Sequence, residues 1–505
     1  MNDQKVRVRF APSPTGGLHL GGVRTVLFNY LFAKQQGGDF ILRIEDTDQS
    51  RFVPGAEEYI FDTLTWCGLV PDESPLHGGP YGPYRQSERK PMYLPYAQQL
   101  VEAGQAYYAF DTPEQLDAMR KEHPNFQYNH QFRMMLSNSL TLSKEEVAQK
   151  IANGDPYVIR ILMPANETVV LHDLIRGEVS FDTAQSDDKV LLKADGMPTY
   201  HLAVVVDDFH MKITHAFRGE EWLPSAPIHV LLWKYLFGLD AMPKWAHLPL
   251  ILKPDGHGKL SKRDGERLGF PVFAKEWKDP ATGELTAGFK ERGFLPEAFI
   301  NMLAMLGWND GTDQEVFSLE ELLQRFHLER VHKGGARFDF EKATWFNQEW
   351  MKRMSTSALT EKVQPILETA LQTKLATEQV TQAVEMTRER CALLNDFTTQ
   401  AGFLFATPAL YDIASIQPKW DEKKQNFFKA FVVELSKVSE WNAPTIEAKF
   451  KELAAEQGVK PGDCMLPLRV MLVGGKFGPG VFDIAAFIGA AATKERIEQV
   501  MALLG

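Results

Sequence analysis

Between Val6 and Ile44 the chain changes its hydrophobic period in the way a strand–helix–strand unit requires. Val6, Val8 and Phe10 alternate as on a strand. Val23, Leu27, Tyr30 and Leu31 then recur at helical spacing, and Gly37-Gly38 marks the stop. Phe40 to Ile44 reads as a second strand, with Glu45 just past its end. A strand, a helix and a second strand in this order start a parallel sheet, so the first ~105 residues predict an α/β fold. In open parallel sheets ligands sit beyond the carboxyl ends of the strands, which is where Arg9, Ser13 and Glu45 fall.

Two glycine-rich loops, about 240 residues apart, sharpen that expectation. The first runs from Pro12 to Gly22 and contains His19-Leu20-Gly21-Gly22. The second, from Lys253 through Gly256-His257-Gly258, carries Lys259-Leu260-Ser261-Lys262-Arg263. Glycines let backbone N–H groups approach phosphate closely, and a helix start adds positive potential. A lysine beside them adds a point charge where transfer at phosphorus builds negative charge. A lone histidine is more often a solvated loop residue, and most lysines are ordinary surface charges. The pairing of the loops favours one nucleotide gripped from two sides, with His19 on the α-phosphate and Lys259 and Lys262 on the triphosphate.

At these residues the chain resembles a known family. His19 to Gly22 resembles the HIGH element of class I aminoacyl-tRNA synthetases, and Lys259 to Arg263 their KMSKS loop. The fourth position of the first motif is Gly22 rather than histidine, a variation similar to that of other glutamyl enzymes. Arg7 to Gly16, Phe40 to Asp48, Gly82 to Arg89, His215 to Trp222 and Met465 to Val470 are similar to bacterial glutamyl-tRNA synthetases. The resemblance runs over nearly the whole chain. It implies a ligase that activates glutamate with ATP to glutamyl-adenylate and passes the acyl group to the 2′-hydroxyl of the terminal adenosine of glutamate tRNA.

The resemblance also assigns residues. Arg9, Ala11, Ser13, Glu45, Tyr200, Val204 and Arg218 would bind glutamate. His19, Gly21, Gly22, Glu221, Leu252, Lys259 and Lys262 would bind ATP, with His19 and Lys262 catalytic. A guanidinium fork suits a carboxylate side chain, so Arg9 and Arg218 are the candidates for it. An internal salt bridge is the competing use of each. Glu45 would hold the α-ammonium while Ser13 and Tyr200 add hydrogen bonds. Val204 stands where the family usually has Asn, which removes one polar contact or moves it elsewhere.

The rest of the sequence fits these expectations without having produced them. At 505 residues the chain exceeds one core, so three or more domains are expected. The expected fold is a Rossmann-like parallel-sheet catalytic domain in two halves, residues 1–105 and 195–252, around an inserted acceptor-end-binding domain at 106–194. A loop and stem-contact region follows at 253–345, then a mostly α-helical anticodon-binding region at 346–505. Leu202 to Val206 and Ile213 to Phe217 read as further strands of the sheet, and Leu248 to Leu252 feeds the Lys259 loop. Trp345, Phe346, Trp350, Lys352 and Arg353 are available for stacking on RNA bases, although core packing competes for each aromatic.

The net charge of −11 argues against indiscriminate nucleic-acid binding, yet leaves room for a local basic groove. Cys67, Cys391 and Cys464 are few and far apart, which suits free thiols in a reducing cytoplasm. The polar start Met1 to Lys5 and the lack of an 18-residue apolar run likewise point to a cytoplasmic protein without a membrane. Residues 106–194 offer His123 and His130 but no cysteine, so no structural zinc is expected there. Mg²⁺ would travel with ATP; Asp46 and Asp48 could ligate it, but capping around Thr47 and Arg51 is as good a use of them. The expected partners are glutamate tRNA, glutamate and ATP, and the family suggests a monomer. Five alternatives compete. A ligase charging glutamine tRNA as well, or a glutaminyl enzyme, would share the catalytic half. A truncated paralogue or a small nucleotidylyltransferase would lack the long tail, and a tRNA-binding regulator would be expected to lose His19 or Lys262.

Overall fold

The computed structural model describes residues 5–505, so the Met1 to Gln4 part of the polar start lies outside the described residues. The chain forms two compact units. The first runs through Glu291 and resumes over Phe299–Phe340; the second comprises Arg292–Ala298 and Glu341–Gly505.

The N-terminal strand–helix–strand unit forms as its period demands. Strand β1 (Arg7–Phe10) is buried along its whole length, and helix α1 (Leu20–Gln35) buries Val23, Leu27 and Leu31 against the sheet. Gly37, at φ 63°, takes the left-handed turn that releases the chain into β2 (Asp39–Leu42), parallel to β1. β2 ends two residues before the expected limit, and Ile44 makes only an isolated bridge to Arg85.

The following strands depart from expectation in an informative way. β3 (Ala106–Ala109), β4 (Val158–Ile161) and β7 (Val190–Leu192) form a separate antiparallel sheet. β5 (Thr168–Asp173) and β6 (Gly177–Asp182) form a hairpin that instead joins the main sheet. With β8 (His215–Gly219) and β9 (Lys244–Leu248), that sheet has the order β2-β1-β8-β9-β5-β6, parallel except for the last pair. The hairpin attaches through Asp173 opposite Trp245, and the Leu174 N–H donates to the Trp245 carbonyl at 2.8 Å. The 106–194 segment is therefore not wholly separate from the catalytic sheet.

The expected strand at Leu202–Val206 is a helix, Tyr200–His210. Every residue from Leu202 to Asp208 is buried, so no polar stripe reveals the helical period and a short apolar run reads equally as strand or helix. The chain next forms β8, close to the expected span, and then the buried helix Ala226–Leu236. Pro249 interrupts the run from Leu248 to Leu252, leaving β10 (Ile251–Leu252) paired with Ala336–Arg337.

The second unit is helical, as its composition suggests. Helices Thr356–Leu371, Thr377–Thr387, Glu422–Leu435, Ala443–Glu456 and Pro461–Val473 surround one core, in which Phe427, Phe431 and Phe450 meet edge to face or stacked within 6.1 Å. Phe346 is buried and Trp350 packs against this core. Trp345 lies 3.8 Å under the Lys342 ammonium. Cys67, Cys391 and Cys464 are all buried free thiols. No helix among the described residues is long and apolar enough to cross a membrane.

Candidate functional site

The sheet reverses its strand order between β1 and β8, and a cavity of about 900 Å³ opens beyond their carboxyl ends. Arg9, Ala11, Ser13, His19, Gly21, Gly22, Glu45, Tyr200, Arg218, Glu221 and Lys259 all line it. Val204, Leu252 and Lys262 do not. Val204 is buried in the helix Tyr200–His210 one turn beyond Tyr200, and Leu252 fills the space beside Gly335. The Lys262 ammonium lies 5.9 Å from the Phe273 ring centroid.

The first loop is a helix start with a free donor. His19 caps α1, its Nδ1 accepting from the Gly21 N–H at 3.4 Å. That bond fixes the tautomer: in the neutral ring Nε2 carries the proton, and Nε2 is buried without a partner. Burial, reinforced by the Lys259 charge, pushes the His19 pKa down to about 4, so the ring is neutral at pH 7. A methyl group on Gly21 would meet only His19 Nδ1, at 3.8 Å; the remaining space is the cavity itself.

The second loop folds back on itself. Lys253 N–H donates to Gly258 O at 3.1 Å, with Gly256 and Gly258 at φ 83° and 79°, a conformation that favours glycine. Ser261 caps the short helix Lys262–Leu268 with Asp264. Lys259 pairs with Glu221 at 2.6 Å. The Phe273 ring links the two motifs, meeting His19 edge-on at 6.3 Å while the Lys262 ammonium lies over it, and the Leu20 N–H donates to the Val272 carbonyl. Arg24, on α1, reaches across to the carbonyls of Leu306 at 2.9 Å and of Pro249.

Beneath the cavity floor lies a network that the sequence reading missed. Arg9 Nε donates to both Asp208 oxygens at 3.1 and 3.2 Å, and Arg43 bridges Asp208 at 2.8 Å and Glu45 Oε1 at 3.0 Å. Arg89 and Tyr93 hold Asp207, which also accepts from Gln86 at 2.8 Å. Burial raises the Glu45 pKa and Arg43 partly opposes it; its Oε2 makes none of these bonds. The Asp207-Asp208 doublet ending an apolar run, and Arg43 inside the apolar run from Phe40 to Ile44, were the available signals, since charges placed there must be paired.

Arg218 is different. Its Nη1 donates to His229 Nδ1 at 2.9 Å, its guanidinium carbon lies 4.7 Å from the Trp245 ring centroid, and its Nε is buried without a partner. Among the described residues no carboxylate lies within ion-pair distance of it. Burial accordingly lowers its pKa. Of the two candidate forks, Arg9 is committed to an internal ion pair and Arg218 is not. Tyr200 and the exposed Trp222 meet with ring centroids 4.8 Å apart at the cavity wall.

Asp46 and Asp48 serve as caps. Asp46 accepts from the Ser87 N–H and hydroxyl at 2.8 and 2.6 Å, and Asp48 from those of Ser50 at 3.2 and 2.6 Å. No group of three or more His, Cys, Asp or Glu among the described residues could hold a metal ion.

The chain whose two motifs bound this switch-point cavity belongs to the class I aminoacyl-tRNA synthetases. Residues 5–345 match "tRNA synthetases class I (E and Q), catalytic domain", and residues 358–501 match "Anticodon binding domain". It is 52% identical to the glutamate–tRNA ligase of Flavobacterium psychrophilum, over 99% of this chain and all of that one. Identity to the Phocaeicola vulgatus ligase is 50% over all of both chains. The crystal structure of a glutamate tRNA ligase from Elizabethkingia meningosepticum, in complex with its amino acid, superposes with a TM-score of 0.93 at 47% identity. That match covers 99% of this chain and all of the other.

Proposed function

We propose that this chain is a glutamate–tRNA ligase, activating glutamate with ATP and charging glutamate tRNA. The observation that carries the reading is Arg218, a buried guanidinium without a counter-carboxylate, open to a cavity that both nucleotide loops line. The buried guanidinium groups of Arg9, Arg24, Arg43, Arg89 and Arg218 at and beneath the cavity outnumber the buried carboxylates there, Glu45, Asp46, Asp207 and Asp208, by one. One positive charge is left over. Glutamate, with two carboxylates and one ammonium, cancels it; glutamine, neutral overall, does not.

In this reading Arg218 takes the side-chain carboxylate, with Arg9 beside it. Glu45 Oε2 takes the α-ammonium, and Ser13, Tyr200 and the Ala11 backbone complete the contacts. Val204 contributes the apolar packing that holds Tyr200. The nucleotide lies along Gly21 and Gly22; at Gly21 the absence of a side chain admits phosphate, whereas at Gly22 it makes room for Leu18, which packs the turn beneath. The α-carboxylate oxygen attacks the α-phosphorus, the bond to the bridging oxygen breaks, and pyrophosphate leaves. His19 Nε2–H donates to the α-phosphate oxygens as their charge grows, needing no proton of its own to move. Lys259 exchanges Glu221 for phosphate, and Lys262 swings from Phe273 to the leaving group. Glu221 flanks the nucleotide, whereas Leu252 packs beside Gly335 outside the cavity. The residues present do not form a protein cage for Mg²⁺, which would arrive held by the ATP phosphates and water. The 2′-hydroxyl of the terminal tRNA adenosine then attacks the adenylate carbonyl and AMP leaves. Residues 106–194 would guide the acceptor end, 253–345 the stem, and 346–505 the anticodon.

The test is to incubate the protein with ATP, Mg²⁺, labelled glutamate and total bacterial tRNA and to identify each charged tRNA. Label on glutamate tRNA supports the reading, and label also on glutamine tRNA makes the enzyme non-discriminating. Binding of tRNA without any label would leave a regulator instead.

A further inference from the structure

Arg218 is buried beside a histidine where most buried arginines have a carboxylate, and that histidine is backed by another. His229 Nδ1 lies 2.9 Å from Arg218 Nη1. An arginine has only donors, so Nδ1 accepts and the proton of the neutral His229 ring sits on Nε2. Nε2 lies 3.1 Å from His201 Nδ1, which must then accept in turn, leaving the His201 proton on its own Nε2. One set of tautomers satisfies both contacts. His229 is fully buried on the helix Ala226–Leu236, His201 lies on the helix Tyr200–His210, and Tyr200 packs against His229 with centroids 5.2 Å apart.

Resting on the reading of Arg218 as the carboxylate fork, we propose that His229, oriented by His201, is a positioning residue that fixes the fork through a neutral acceptor and so reserves its charge for the substrate. A carboxylate at position 229 would hold the guanidinium equally well but neutralise it. The pocket would then have no surplus charge and no electrostatic reason to prefer glutamate over glutamine. A neutral acceptor orients without neutralising, and the second histidine stops the first from flipping its ring. Burial drives both rings toward the neutral form, His201 to about 4 and His229 well below its ordinary value. The arrangement is therefore stable at neutral pH with the cation beside it.

Two substitutions and one measurement on the unaltered chain test this. His229→Asp should raise the glutamate KM by roughly ten- to a hundredfold, the value of a charge-assisted hydrogen bond. It should leave the ATP KM unchanged and narrow selectivity for glutamate over glutamine in pyrophosphate exchange. His229→Asn, whose amide oxygen accepts without charge, should raise the glutamate KM far less and keep the selectivity. Equal effects of Asp and Asn would refute charge reservation, and no effect of either would refute positioning. Should the Asp variant fail to fold, ¹⁵N histidine spectra of the unaltered protein decide. Both rings should be neutral Nε2–H tautomers at pH 7, with and without glutamate, and an imidazolium at either would overturn the proposal. If Arg218→Ala leaves the glutamate KM unchanged, it is the reading of the pocket that fails, separately from the role of His229.

Discussion

Replacing Arg218 by methionine should weaken substrate use and yet not weaken the empty protein. The methionine keeps a flexible stem over Trp245 but removes a buried charge that no carboxylate offsets. Exchanging buried charge for apolar volume is commonly stabilising by about 1–4 kcal/mol. Against this stands the loss of a cation–π contact worth about 0.5–2 kcal/mol. The ligand-free variant should accordingly unfold at the same temperature as the parent or higher. Glutamate binding should move the other way. Removing one member of a buried charge pair costs about 2–5 kcal/mol, equivalent to roughly 30-fold to several-thousandfold in KM. Thermal unfolding with and without glutamate reads both effects. Parent protein at a hundred times its Kd gains about 2.7 kcal/mol, whereas the variant at that concentration should gain almost nothing. A variant less stable when empty, with its glutamate dependence intact, would refute the placement of the uncompensated charge.

Three further outcomes follow from the same geometry. His19→Ala should lower the rate of adenylate formation by about 10²–10³, the usual cost of a lost transition-state donor, with KM values little changed; an equal loss in ATP binding would argue for a ground-state role. Gly21→Ala meets no protein atom closer than 3.8 Å, so thermal stability should hold while the ATP KM rises, and unchanged ATP use would place the nucleotide elsewhere. His19, His201 and His215 have folded pKa values of about 4 against 6.5, so the unfolded chain binds more protons between those values. Stability should be full above pH 6.5 and fall as pH drops toward 4, and unfolding temperatures flat across that window would contradict the burial of these rings.

What could be read from the sequence followed from local signals. The β1–α1–β2 unit carries its own period changes and glycine stops, and the two loops announce themselves by glycine and lysine. Eleven of the named site residues meet in one cavity, the loop residues announced by these signals and the others assigned only by the family resemblance. Long-range placement was hidden. Leu202–Val206 is apolar on every side because the helix is enclosed, so its period left no trace. The β5–β6 hairpin alternates as any exposed hairpin would, and nothing in Thr168–Asp182 says which sheet it joins. Asp207, Asp208 and Arg43 interrupt apolar runs, which says that they are paired but not with which partners, and His229 is one apolar-face histidine among several until Arg218 is found beside it.

The hairpin has a consequence for anyone who would pare the chain down. β5 and β6 cap the main sheet beyond β9, so cutting out residues 106–194 removes a third of its strands along with the insertion. β9 would keep its pairing to β8 but become an open edge beside the buried Trp245, a template for another molecule's strand. The shortened product would be a sticky fragment rather than a minimal nucleotide-binding domain. A smaller version that stays dispersed would have to keep Thr168–Asp182 and rejoin the chain around it.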